Sequence, residues 1–289
     1  MKAKIIGKFD GVGIPIRVKL LHGSGIPEGI GGMEHSHDFA ELVLFHGGRG
    51  VHRVDGHDYP VVAGDVFAVH GDQTHAIVQR ENLQHVEVTY NSRRVRLPTD
   101  QLRKLPGYHA LFVLEPARRR RRRFRGHLRL SPTRLAEAMR LIHSMHQEYE
   151  ARPVGYEAFL LGRLVELIVF LSREYSRSST GEGRALLRVG EVIGLLEREY
   201  ARPWRLAELC AIAHMSKSNL MVAFREATGQ TPVNYLIEVR LRHAMYLLQS
   251  TARKVTEIAF EVGFSDSNYF ARKFRQVVGL SPSAYRRSP

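Results

Sequence analysis

The hydrophobic and polar positions change period once along the chain. Up to about residue 90, apolar residues alternate with polar ones in short runs: Ile16, Val18 and Leu20 share one side of 16–20, and Val86, Val88 and Tyr90 share one side of 84–90. Apolar runs at 39–45, 51–56 and 66–69 are bounded by Gly47-Gly48, Gly56 and Gly64-Asp65. Short strands between Gly- and Asp-rich turns predict a β-sandwich or barrel. From Ser131-Pro132 the period becomes helical: Leu135, Met139, Ile142, Met145 and His146 keep one face, and 159–171 is apolar nearly all round. The small polar stretch 176–183 (SRSSTGEG) is expected to hold the domain linker. Everything beyond it reads as helix, punctuated by Gly and by Ser/Thr-Pro.

The C-terminal third contains an internal repeat. Phe224, Arg225, Gly229, Thr231, Pro232 and Tyr235 recur fifty residues later as Phe274, Arg275, Gly279, Ser281, Pro282 and Tyr285. Upstream of each copy a short helix, at 206–209 and 255–258, leads through a tight turn into a second helix. Ser216 and Asp266 suit the N-caps of these second helices, Gly229 and Gly279 their C-terminal left-handed positions, and Pro232 and Pro282 the first turn of the next helix. Each unit reads as a helix-turn-helix, whose second helix would enter a DNA major groove. A connecting helix at 233–249 could hold the two about one DNA turn apart. A single such unit occurs in many helical enzymes; two with matched caps favour DNA binding.

Charge sharpens this division. The 289 residues carry 43 Lys+Arg against 29 Asp+Glu, a net of +14. Residues 1–116 are balanced, 117–130 hold eight arginines and no acid, and 184–289 carry +7. The basic surface therefore lies away from the strand-rich front half, and the two halves read as doing different jobs. With 44% hydrophobic and 25% charged residues the chain is expected to be globular. No stretch is long enough to span a bilayer, and Gly7 and Asp10 interrupt any signal-like start, so a cytosolic, cytoplasmic protein is expected. A single cysteine, Cys210, excludes an internal disulfide framework or Cys-cluster zinc site and is expected to be a small buried hydrophobe.

Residues 185–287 resemble the DNA-binding domain of the AraC/XylS family of transcription regulators. The stretch 258–270 (IAFEVGFSDSNYF), with Phe274-Arg275 and Gly279 to Pro282, carries the resemblance. It implies two recognition helices on adjacent major-groove segments, a homodimer, and recruitment of RNA polymerase to a promoter. In the second helix, Phe270 and Phe274 are spaced to face the core, leaving Ser267, Asn268 and Arg272 outward. Asn pairs bidentately with adenine and Arg with guanine, while Lys273 and Arg275, with Arg225 in the sister helix, suit phosphates. In the first helix Val222 stands where the repeat has Arg272, and family members often carry a polar or basic residue there. That helix is expected to read thymine methyls and shape through Met221 and Val222, with Ser218 and Asn219 supplying hydrogen bonds.

Nine of the fifteen histidines precede residue 91. Gly29, His35, His37, Glu41 and Gly48 have the spacing of the first cupin motif. Gly64 and His75 fit the second in part, with His70 and Asp72 in place of the usual Pro and Gly, and Gln79 where Asn is common. By that resemblance His35, His37, Glu41 and His75 are candidates to hold a divalent transition metal, a chemically sensible set for three imidazoles and a carboxylate. Alternatively they line the pocket of an organic effector, with no cofactor required. His46, His52, His57 and His85 are expected to be ordinary strand residues facing solvent. The sequences 35–44 and 64–75 also resemble the L-rhamnose operon activators, so a sugar is the preferred effector.

The expected architecture is α+β in two domains. Residues 1–130 form a cupin-like effector-binding β-barrel, 131–178 a helical dimerisation segment, 179–184 the linker, and 185–289 the all-α tandem helix-turn-helix domain. The six arginines at 118–123 and Arg125 should repel one another and form a solvated loop, or add phosphate attraction. The function expected is a ligand-responsive activator that binds double-stranded DNA and is not an enzyme. The competing class is a metal-dependent cupin enzyme or metal sensor joined to a DNA-binding domain.

Overall fold

Eight strands pair in one sheet: β1 (Lys4–Ile5), β2 (Ile16–His22), β3 (His35–Ser36), β4 (Ala40–Val54), β5 (His57–Val62), β6 (Asp65–Val69), β7 (His75–Tyr90) and β8 (Leu128–Arg129). They are seen in a computed structural model that describes residues 4–5, 14–22, 34–71, 73–121, 127–178 and 181–287. The runs expected as separate strands at 39–45 and 51–56 are one strand of 15 residues, β4, lying antiparallel to the 16-residue β7. Gly47-Gly48 does not reverse the chain, because the register between β4 and β7 shifts three times, between Phe45 and His52, and the strand bends instead. Gly48 takes φ +66° at this bend, where a Cβ would lie 2.1 Å from the Asn82 carbonyl oxygen.

The bend lets each long strand serve two lobes. Leu42 and its neighbours pair with β6 on one edge and with 86–90 of β7 on the other, and β2 extends that lobe beyond β7. Past the bend, 49–54 pair with β5 and with 75–81 of β7, and β3 joins through His35 opposite His75. Val43, Phe45, Val54, Tyr59, Val61, Phe67, Val69 and Leu83 form the buried core of the sheet.

Helices begin well before Ser131. Short helices α1 (Thr99–Leu102) and α2 (Pro106–His109) lead through a π-helical turn, Ala110–Leu114, into α3 (Glu115–Arg121). Ala110, Leu111, Phe112 and Leu114 are buried, which holds this segment against the sheet and makes the first arginines helical rather than a loop. Arg122, Arg123 and Arg125 lie outside the described residues. Next come α4 (Pro132–Ala151), α5 (Tyr156–Ser178) and α6 (Gly181–Arg198). Ser131 caps α4 by accepting from the Arg134 N–H, and Ala138, Ile142 and Met145 supply its buried stripe.

The chain divides into two compact units, Met1–Gly190 and Glu191–Pro289. The linker expected over 179–184 is already helical from Gly181, and the division falls inside α6. The reason is packing: Gly190 sits so close to α2 that a Cβ would be 2.4 Å from the Pro106 carbonyl oxygen. The C-terminal unit continues with α7 (Leu206–Ala213), α8 (Lys217–Thr228), α9 (Pro232–Ser250), α10 (Val255–Glu261), α11 (Ser267–Val278) and α12 (Pro282–Arg287). No helix among the described residues is long and apolar enough to cross a membrane.

Candidate functional site

The repeat resolves into two helix-turn-helix units with matched ends. Ser216 accepts from the Asn219 N–H at 3.2 Å to start α8, and Asp266 from the Tyr269 N–H at 2.6 Å to start α11. Gly229 and Gly279 end these helices at φ +79° and +83°, conformations that carry no Cβ penalty in glycine. Each preceding helix is closed by a glutamate in its first turn, Glu208 accepting from the Arg205 N–H and Glu257 from the Lys254 N–H. The 19 residues of α9, about 28 Å long, join the two units. Glu197 on α6 is 3% exposed and accepts from both Tyr235 and Arg242, tying α6 to α9.

The inward faces are as spaced: Leu220 and Phe224 on α8, and Phe270 and Phe274 on α11, are completely buried. On the opposite faces Ser218, Asn219, Val222 and Arg225 are exposed on α8, and Asn268, Arg272 and Arg275 on α11. Met221, Ser267 and Lys273 are half-buried. Val222 is 58% exposed, so core packing does not explain this apolar side chain. Arg272 lies over the Tyr269 ring, 5.4 Å from its centroid, and Lys273 Nζ donates to Gln276 Oε1 at 3.1 Å. Cys210, expected to be enclosed, is only half-buried.

Inside the N-terminal sheet the structure brings His37, Glu41 and His75 together. All three are buried, with one ligand atom from each lying within 4.8 Å of the others. His37 Nε2 is 2.7 Å from Glu41 Oε2 and 3.1 Å from His75 Nε2, and His75 Nε2 is 3.4 Å from Glu41 Oε2. His35 lies alongside, its ring centroid 4.4 Å from that of His75 across the β3–β7 pairing. Gly29 and Asp72 of the cupin-like motifs lie outside the described residues.

The positions of the imidazole protons limit what this triangle can hold. His37 Nδ1 is 2.8 Å from the Phe39 carbonyl oxygen, which can only accept, so Nδ1 carries a proton and the neutral form of the ring has its lone pair at Nε2. That lone pair, a carboxylate oxygen and the second imidazole nitrogen then face one another. An electropositive centre must sit among them: a shared proton, or a metal ion. Burial, reinforced by the charge of Glu87, pushes the Glu41 carboxyl up against the opposing hydrogen bond from His37. Burial also holds His75 well below the usual imidazole range. Neutral imidazoles and a carboxylate are the donors a borderline transition ion takes, so the residues fit such a metal.

Three side chains that the sequence pattern assigns to solvent are buried in this unit. His52 is completely buried, with Nε2 3.4 Å from His75 Nδ1, and its ring packs edge-on to Phe67 at 4.9 Å. Burial, with the charge of Arg119 adding, holds it down at about 3. His85 is also buried, while His46 and His57 are half-buried rather than facing solvent. Arg119, the second member of the arginine run, is completely buried. Its guanidinium lies 4.6 Å from the centre of the Phe67 ring and donates to Glu115 Oε2 at 2.5 Å. The other Glu115 oxygen accepts from Tyr175 of α5 at 2.7 Å. An (i, i+4) Glu115–Arg119 pairing was the available sequence signal.

Comparison with known proteins covers both units. A helix-turn-helix domain family matches residues 209–288, and the AraC-like ligand binding domain family matches 32–168. The HTH-type transcriptional activator RhaR of Escherichia coli K12 is 31% identical over 256 residues, 88% of this chain and 86% of that one. Among solved structures, a probable AraC family transcriptional regulator from Rhodopseudomonas palustris is 32% identical over 35% of this chain and 94% of its own, with a TM-score of 0.33. A single-site variant of apo ToxT from Vibrio cholerae aligns over 95% of this chain and 97% of its own at 13% identity, with a TM-score of 0.34.

Proposed function

The chain belongs to the AraC/XylS family of transcription regulators, and from that premise we propose that its N-terminal unit senses a carbohydrate and thereby controls a promoter. The protein is a ligand-responsive regulator, with an AraC-like ligand-binding domain and a helix-turn-helix DNA-binding domain. The observation that carries the sensing assignment is the buried His37–Glu41–His75 cluster. Polar side chains inside a sheet core cost stability unless they are paired, so an interior kept only for packing would be apolar. Imidazole and carboxylate groups with fixed lone pairs suit the hydroxyls of a sugar, and the resemblance to rhamnose-operon activators makes L-rhamnose the first candidate. An effector shifts such a regulator only if it binds the active state more tightly than the inactive one. Direction follows the relatives, which are named as activators, with RNA polymerase as the partner recruited.

Calorimetric titration of the purified protein with a sugar panel, with and without chelator, tests this reading. Saturable heat with one sugar that persists in chelator supports it, and no heat with any sugar rejects it. A second reading is favoured by the three convergent acceptor atoms: His37, Glu41 and His75, with His35 beside them, would hold a divalent transition ion that is itself the signal or part of the effector site. Metal retained through dialysis would favour it.

DNA contact is assigned to the outward faces of α8 and α11, with the exposed Arg272 and Asn268 reading bases on one side and the exposed Val222 with half-buried Met221 reading methyls on the other. Dimerisation is assigned to α4 and α5. The groove between them, about 730 Å³, is lined by charges of both signs, among them Arg140, Arg163, Arg173, Glu137 and Glu166. In a two-fold dimer such a face can be self-complementary. Sedimentation of the intact protein, with Arg140→Glu/Arg173→Glu as the disrupting variant, tests that assignment. A monomer at micromolar concentration would reject it.

A further inference from the structure

We propose that His52 is a positioning residue of the N-terminal site: by accepting from His75 Nδ1 it turns the His75 Nε2 lone pair toward His37 and Glu41, building a trap for a divalent transition-metal ion. The proposal rests on the metal reading of that cluster.

His75 has two nitrogens and two neighbours. Nε2 faces the lone pair of His37 at 3.1 Å and the Glu41 carboxyl at 3.4 Å, while Nδ1 faces His52 Nε2 at 3.4 Å. A metal ion can use only a lone pair at Nε2, so the remaining imidazole proton must sit on Nδ1. His52 Nε2 is the acceptor that the fold supplies for it. His37 is arranged in the same way, with its Nδ1 proton on the Phe39 carbonyl oxygen and Nε2 toward the cluster. Both imidazoles thus have an outer acceptor behind them, the usual arrangement for a metal-ligating histidine.

The alternative role for His52 is packing. It lies edge-on to Phe45 at 5.8 Å and Phe67 at 4.9 Å, contacts that a phenyl ring would also make. Packing does not account for its other nitrogen. His52 Nδ1 is buried and has no hydrogen-bond partner among the described residues. If Nε2 accepts, Nδ1 must carry the proton, so the residue keeps a buried donor unsatisfied, and a phenylalanine would avoid that cost.

The test uses the full-length protein stripped with chelator, titrated with Co(II) and, by competition with a chromophoric chelator, with Zn(II). His52→Phe keeps the ring and removes the acceptor, and His52→Gln keeps an acceptor oxygen. Wild type should bind one ion, with ligand-field bands showing imidazole coordination. His52→Phe should bind about 10–100-fold more weakly, with altered bands, and His52→Gln should recover most of the affinity. Far-UV circular dichroism of the apo forms checks that all three are folded. In the wild-type zinc form, 15N-histidine NMR should show a protonated Nδ1 and a metal-bound Nε2 on His75. That measurement decides the matter if the phenylalanine variant does not fold. Wild-type protein that binds no metal overturns the metal reading and this proposal with it. Tight wild-type binding with His52→Phe within threefold, or the opposite His75 tautomer, overturns the role of His52 alone.

Discussion

Arg119→Ala should be far more damaging than Arg120→Ala, although the two are neighbours in one run of arginines. Arg120 is exposed, whereas Arg119 is enclosed, donating to Glu115 at 2.5 Å and lying over Phe67. Removing the guanidinium leaves Glu115 buried with the Tyr175 hydroxyl as its remaining side-chain partner among the described residues. Breaking a buried pair from one side costs about 3–5 kcal/mol. With a urea slope of about 2 kcal/mol/M, the midpoint of the N-terminal unit should fall by about 1.5–2.5 M. The single tryptophan, Trp204, lies in the C-terminal unit, so its fluorescence should melt unchanged while the far-UV dichroism transition moves. The deficit should also depend on pH. Burial holds the Glu115 carboxyl above its ordinary value of 4.5 against the opposing charge of Arg119. A raised carboxyl favours the fold fully below the unfolded value and loses that contribution as pH rises through the folded one. Losing Arg119 raises Glu115 further, so the deficit should be smallest below about pH 4.5 and widen above it. The double variant Arg119→Met/Glu115→Leu should recover much of the stability, because replacing both partners by apolar groups is often neutral. A single-variant midpoint within about 0.3 M of wild type, or a double variant no better than the single, would refute the reasoning.

Three further outcomes are expected from the same geometry. On an operator selected from a random pool, Arg272→Ala should cost about 1–3 kcal/mol of base discrimination in its half of the site, and Val222→Ala much less; equal losses in a competition assay would reject the assignment of direct reading to α11. Glu197→Gln weakens the charge-assisted bonds from Tyr235 and Arg242, so it should destabilise the C-terminal unit by about 1.5–3 kcal/mol, visible as an earlier Trp204 fluorescence transition with no shift in the N-terminal one. Asp65 stays below its ordinary value although burial opposes this, because His127, Arg129 and the Val62 N–H donate to it. A depressed carboxyl stabilises the fold above its unfolded value and loses that contribution as pH falls through the folded one. Asp65→Asn should therefore be less stable near pH 7 and show a shallower acid limb in thermal melts.

What could be read from the sequence and what could not divides along a physical line. Caps, turn glycines and the (i, i+4) aromatic pairs of the helix-turn-helix units are local, so Ser216, Asp266, Phe270 and Phe274 could be placed from spacing alone. His37, Glu41 and His75 were found through a resemblance, and the strand pairing that joins them depends on contacts across forty residues. His52 lies inside, against its sequence pattern, for a definable reason. Strict alternation from Val51 turns His52 outward, but β4 carries an extra residue against β7 between Phe45 and Gly47, so the inward positions pass from Val43 and Phe45 before the bend to His52 and Val54 after it. Phe45 and Val54, of opposite parity in one strand and both in the core, are the trace of that bulge. Arg119 departs from the solvated run that a block of like charge predicts, because its helix places it four residues from the single nearby acid, Glu115. In both cases a rule of local patterning fails where the fold puts a polar side chain inside. Such failures concentrate at functional or strained positions, because an interior imidazole or guanidinium persists only when its surroundings compensate for it. Both misses border the same ring, Phe67, and one of them touches His75. The interior of the sensor unit, more than the basic surface of the other, is therefore where the individual character of this regulator is to be sought.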